Sequence, residues 1–107
     1  MLNQTVLVGR LTQDFKDEFL NNRKDFCITV AVPRNYKNEN GEYDTDFLPI
    51  VLSSNIGKNV CEYCKKGDIL GIKGRTESVK TDDSYSIRIV ADRITFLSSN
   101  KDLVQQN

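Results

Sequence analysis

Phe26, Ile28, Val30 and Val32 alternate with Cys27, Thr29 and Ala31, and Pro33 follows directly. A period of two puts one set of side chains on each face of an extended strand and is incompatible with one helical stripe. The same period recurs along the chain. Val6 and Val8 oppose Leu7 and Leu11 around Gly9, which reads as a strand bending at the glycine. Leu48, Ile50 and Leu52 oppose Phe47, Pro49, Val51 and Ser53. Pro49 has no N–H for a ladder, so an edge or bulge is expected there. The run from Tyr85 to Leu97 carries Tyr85, Ile87, Ile89 and Ala91 on one side, and Tyr85 and Phe96 are expected in the core. Ile69 to Glu77 is a further strand, whose Gly71 and Gly74 permit strong coiling or close backbone approach.

One segment breaks the pattern. From Asn55 to Lys66 the apolar residues Ile56, Val60, Tyr63 and Cys64 fall on one helical face. Asn55 is the expected cap, Lys65 and Lys66 suit the C-terminal dipole, and Gly67 suits the stop. The connections are polar. Asp14 to Asp25 reads as a loop, Thr81 to Ser84 as a turn, and Pro33 as the end of the second strand. Asn35 to Asp46 reads as a protruding ribbon around Asn40-Gly41, a pair that tolerates positive φ. Three strands, a helix and two strands in that order define the expected fold class. It is an all-β OB-fold, a five-stranded Greek-key barrel with one α-helix between strands 3 and 4.

A chain of 107 residues accommodates one domain, expected over residues 1–98, with a short polar tail over 99–107. No apolar run is long enough for a membrane span, and Met1 to Thr5 opens no signal core, so a cytoplasmic location is expected. Three cysteines, an odd number, suit a reducing compartment. The absence of histidine removes the commonest general base and metal ligand. The formal net charge is zero, but its distribution is uneven: Phe47 to Thr81 carries six basic and three acidic residues.

Five stretches together resemble the bacterial and phage single-stranded DNA-binding protein family: VLVGRLTQD, NENGEYDTDFLPIVL, NVCEYCKKGD, GIKGR and IRIVADRITFL. The resemblance runs from Asn3 to about Leu97 in order and spacing. It implies an OB-fold, sequence-tolerant binding of single-stranded DNA in replication, recombination or repair, and a homo-oligomer, more often a tetramer than a dimer. It implies no catalytic residue, cofactor or metal. Tyr36 and Phe47 match positions where the family places stacking aromatics, and Phe47 alternates away from Leu48, Ile50 and Leu52. The cations expected near the groove are Arg10, Arg34, Lys37, Lys73, Arg75, Lys80 and Arg88; Arg75 suits bidentate phosphate contact and Lys80 a point charge. Ser53 and Thr81 stand where the family has further aromatics, which implies weaker binding. The family's long acidic tail has no counterpart in Ser98 to Asn107, so recruitment of partners through the tail is not expected.

Other readings compete. Tyr36 and Phe47 are equally suited to packing, and any one basic residue is more often a solvated charge than a phosphate contact. The thinned aromatic set favours an alternative, a primosome-type accessory OB domain that binds proteins and nucleic acid only weakly. Cys61 and Cys64 invite a thiol-enzyme or zinc reading, but zinc takes four ligands and only Cys27 is left to add. Asp82-Asp83 reads as a solvated turn. A stacking surface does not by itself distinguish DNA from RNA.

Overall fold

The computed structural model describes residues 1–14 and 25–98. The expected loop between Asp14 and Asp25 and the tail after Ser98 lie outside the described residues. Five strands and a helix follow in order: β1 (Thr5–Leu11), β2 (Asp25–Lys37), β3 (Tyr43–Ser53), α1 (Ser54–Tyr63), β4 (Ile69–Thr81) and β5 (Ser84–Ser98). The strands close a barrel in the order β1-β2-β3-β5-β4. All pairings are antiparallel except β3 with β5, where Ile50 lies beside Ile89 and Val51 beside Val90. This is the OB-fold expected from the element order.

The inward half of each alternation fills the barrel. Leu11, Ile28, Val30, Ile50, Leu52, Leu70, Ile72 and Ala91 are buried, and α1 closes one side with Val60 and Cys64. Apolar burial of this kind contributes about 25 cal/mol per Å² removed from water and is the main favourable term in such a fold.

Pro33 does not end β2, which continues to Lys37. The β2–β3 register shifts between Pro33 and Lys37, and a proline is tolerated where the ladder is already irregular. Pro49 faces Thr29 in regular register, and pairing with β5 begins only at Ile50, so its missing N–H falls where β3 is still an edge on that side.

The helix starts two residues and stops three residues earlier than the sequence suggests. Ser53, rather than Asn55, caps it by accepting from the Ile56 N–H at 3.4 Å. It ends at Tyr63, because the next backbone groups take other partners. Lys65 N–H donates to Asp68 Oδ2 at 2.9 Å, Lys66 N–H to Asp14 Oδ1 at 2.7 Å, and Gly67 N–H to Leu11 O at 2.8 Å. Aspartate side chains divert the backbone from the helix in this way. Tyr63, expected on the buried face, is exposed and meets Phe96 with ring centroids 6.0 Å apart.

Two hairpins run beyond the barrel. The β2–β3 ribbon turns over Asn38–Glu42, where Asn38 Oδ1 accepts from the N–H of Asn40 and Glu42 and Gly41 takes φ +79°. The β4–β5 arm is in register up to Thr81 opposite Ser84, with Asp82 at φ 50° in the turn. Tyr85 and Ile87 lie on this arm past the end of the core. They are 69% and 75% exposed, which overturns the expectation that Tyr85 is a core residue. Phe96 is likewise 38% exposed at the far end of β5.

Candidate nucleic-acid interface

The outward half of the alternation forms a continuous surface across β3, β5 and β4. On β3, Tyr43, Thr45, Phe47 and Pro49 are exposed and Val51 is half-buried. Phe47 is 65% exposed because Leu48, Ile50 and Leu52 take the inward positions. The parallel register sets Val51 beside Val90, and so Pro49 near Arg88. The antiparallel β4–β5 register sets Val90 beside Arg75 and Arg88 beside Glu77. Phe47, Arg88, Arg75 and Lys73 thus lie on one side of the sheet.

On the other flank, Arg10 of β1 is opposite Ala31, and Ala31 is opposite Phe47. Neighbouring strands are about 4.8 Å apart, so this row puts Arg10 about 10 Å from Phe47 along the same outer surface. The Arg10 guanidinium donates to Gly67 O at 2.9 Å.

The ribbon splits the remaining candidates. Lys37 is opposite Tyr43, with its ammonium 5.9 Å from the ring centroid, and Tyr43 alternates onto the Phe47 side. Arg34 belongs to the other side. It donates from Nε and Nη2 to Asp46, with the shortest contact at 2.9 Å, lies 3.9 Å from Asp44, and stands 5.9 Å from the Tyr36 ring centroid. Tyr36 is therefore grouped with Arg34 and not with Phe47. Lys80 also faces away: it is opposite Tyr85 on the arm, 5.8 Å from its ring. Tyr43 and Tyr85, each exposed with a cation at its face, are the aromatic candidates that sequence reasoning passed over. Their signal was present, since each stands opposite a lysine across its hairpin.

The arginines are already occupied. Glu77 Oε2 accepts from Arg75 Nε at 2.9 Å, and Oε1 accepts from Arg88 Nε and Nη2 at 3.0 and 2.8 Å. Arg75 also donates through Nη1 to Asp92. A bulge makes that second pair possible, because the β4–β5 register steps from Gly74–Ala91 to Lys73–Arg93 and leaves Asp92 as the extra residue. The guanidinium groups of Arg88 and Arg75 hold the Glu77 carboxyl below the usual carboxylate range. The Arg34 hydrogen bond does the same for Asp46. Among the described residues, no carboxylate lies within ion-pair distance of Arg10, Lys37, Lys73 or Lys80.

The cysteines lie elsewhere. Cys64 is buried at the helix C-terminus, and burial, with Asp68 and Cys61 adding, pushes its thiol up to about 12. Such a thiol is a poor nucleophile near neutral pH. Among the described residues no group of three metal-ligating side chains gathers, and no helix is long and apolar enough to cross a membrane.

A closed five-stranded barrel with a helix between its third and fourth strands is an OB-fold domain, and this one carries an aromatic-and-arginine strand face. The chain belongs to the single-strand binding protein family, whose family model matches residues 2–97. It is 37% identical over 105 residues to the single-stranded DNA-binding protein of Streptococcus mutans, with 92% of this chain and 64% of that protein covered. The chain thus spans under two-thirds of that relative's length. Single-stranded DNA-binding protein 1 of Clostridium acetobutylicum is 32% identical and matches over 96% of this chain and all of its own. Among solved structures, a Plasmodium falciparum SSB complex with ssDNA superposes with a TM-score of 0.65 at 22% identity, covering 92% of this chain and 96% of that one. A deletion mutant of the Thermus aquaticus single-stranded DNA binding protein gives 0.69 at 18% identity, covering 92% and 52%. At these identities the structural likeness speaks for the fold.

Proposed function

We propose that this protein binds single-stranded DNA without strong sequence preference, across the outer face of β3, β5 and β4. The observation that carries this reading is Phe47, a large ring held 65% exposed in mid-strand beside a row of cations, in a chain of the single-strand binding family. Every base offers a π-face, so a ring of this kind is sequence-tolerant, while the cations follow the phosphates. Phe47 and Tyr43 act as stacking platforms, and Lys37, Lys73, Arg75, Arg88 and Arg10 line the backbone's path. Arg34, Tyr36, Lys80 and Tyr85 contribute where the strand passes over the ribbon and the arm. The activity is coverage of DNA during replication, recombination or repair, in the cytoplasm, with no catalytic step and no cofactor. The residues form one DNA-binding domain over 1–98.

The functional unit is a homo-oligomer, a tetramer in preference to a dimer. Among the described residues β1 pairs with β2 only at Arg10 and Leu11, which leaves the edge of Thr5 to Val8 on that side for a second copy.

The test is a comparison of two folded variants. Phe47→Ala weakens binding of an unstructured oligonucleotide by about fivefold to a hundredfold, as expected for about 1–3 kcal/mol of stacking. Tyr85→Ser, on the opposite side of the arm, weakens it less. An equal or greater loss in Tyr85→Ser shows that the strand takes the other face.

A further inference from the structure

Arg75 and Arg88 stand on the Phe47 face across the β4–β5 pair, and one carboxylate holds both of them. Each Glu77 oxygen serves a different guanidinium: Oε2 takes Arg75 and Oε1 takes Arg88. A phosphodiester offers the same chemistry, two anionic oxygens on one centre, to the same planar donors. We infer that Glu77 is an internal competitor for the DNA backbone, which holds Arg75 and Arg88 away from phosphate and thereby keeps both the affinity and its salt dependence low. This inference rests on the binding reading proposed above.

The placement is built by the fold. Glu77 follows Arg75 by two residues and so shares its face of β4, and the β4–β5 register brings Arg88 opposite it. Both arginines and Glu77 are at the surface, with side-chain exposures of 42%, 47% and 30%. Ion pairs this exposed are weak, so the arrangement is exchangeable: Glu77 competes with phosphate and does not block it. Asp92 holds only Arg75, through the other side of its guanidinium. Removing the Glu77 charge therefore leaves Arg88 with no ion pair among the described residues and leaves Arg75 with one. One extra phosphate contact on a single strand steepens the dependence of log K on log salt by about 0.7.

The experiment compares the full chain with Glu77→Gln and with Glu62→Gln, titrating an unstructured single-stranded oligonucleotide from low to moderate salt. Glu62 is exposed on α1 and not on β3, β4 or β5, and it pairs with no arginine among the described residues, so its variant carries the same change in net charge without releasing one. Thermal melting confirms that both variants fold. Glu77→Gln is expected to bind about threefold to tenfold more tightly at low salt, with the steeper slope, while Glu62→Gln changes affinity less than twofold. Matching shifts in the two variants, or none in Glu77→Gln, overturn the inference and leave the binding reading intact. Binding by Glu77→Gln alone supports the inference in its strongest form. Failure of all three proteins to bind overturns the binding reading and the inference with it.

Discussion

Gly74→Ala should destabilise this barrel more than the same change three residues earlier. A Cβ built on Gly74 lies 2.0 Å from Val90 O, 2.9 Å from Val90 C and 3.0 Å from Ala91 Cα. All three are backbone atoms of the paired strand, at the bulge that turns Asp92 outward. They cannot move without opening the β4–β5 ladder beside the core residues Ile72 and Ala91. At Gly71 the nearest atom to an added Cβ is Leu97 Cδ1 at 3.2 Å, the end of a half-exposed side chain that can rotate. Overpacking against fixed atoms costs about 1–3 kcal/mol and sometimes more, and an overlap beyond 1 Å with a carbonyl oxygen belongs at the upper end. Gly→Ala also stiffens the unfolded chain, which returns about 0.4–1 kcal/mol. The net expectation is a loss of about 2–3 kcal/mol for Gly74→Ala and a change within about 1 kcal/mol for Gly71→Ala. For a domain of this size each kcal/mol moves the melting point by about 4–8 °C. Urea titration followed by circular dichroism measures both. Equal stability of the two variants, or a Gly74→Ala protein within 0.5 kcal/mol (about one error bar) of wild type, refutes the claim that backbone approach fixes this glycine.

Cys64 makes stability fall at high pH. Its thiol stays protonated in the folded protein up to about 12, whereas the unfolded thiol ionises near 9.0, so the unfolded state loses its proton first and stability drops as pH rises between those values. Cys64→Ala should remove that part of the slope in the urea midpoint, and an unchanged slope contradicts the burial argument. Replacing Cys61 and Cys64 together with serine should leave DNA binding almost unchanged, and a large loss in a folded variant revives a thiol role. Light scattering at micromolar concentration should give a mass well above 12.2 kDa; a monomer alone refutes pairing through β1.

The strands were legible because burial imposes a period of two. The facing of Phe47 follows from Leu48, Ile50 and Leu52 alone. Alternation does not reveal where the core ends. Tyr85 and Ile87 share a face with Ile89 and Ala91, yet the arm carries them past the barrel, where nothing among the described residues covers them. The helix end was misplaced for a related reason, since Asp14 and Asp68 capture the backbone of Lys65 and Lys66 through contacts that side-chain periodicity does not encode. The arginine pairs were partly within reach. Counting out from the Thr81–Ser84 turn puts Glu77 opposite Arg88, and only the bulge at Asp92 needed the structure.

The most direct test of the account is a fluorescence titration of the wild-type protein with one labelled oligonucleotide, first unpaired and then annealed to its complement, at matched salt. Stacking on Phe47 needs a base whose face is open, and a duplex hides it. The account predicts clearly tighter binding of the single strand at every salt concentration, with affinity falling as salt rises. Equal affinity for strand and duplex, or an affinity indifferent to salt, contradicts it.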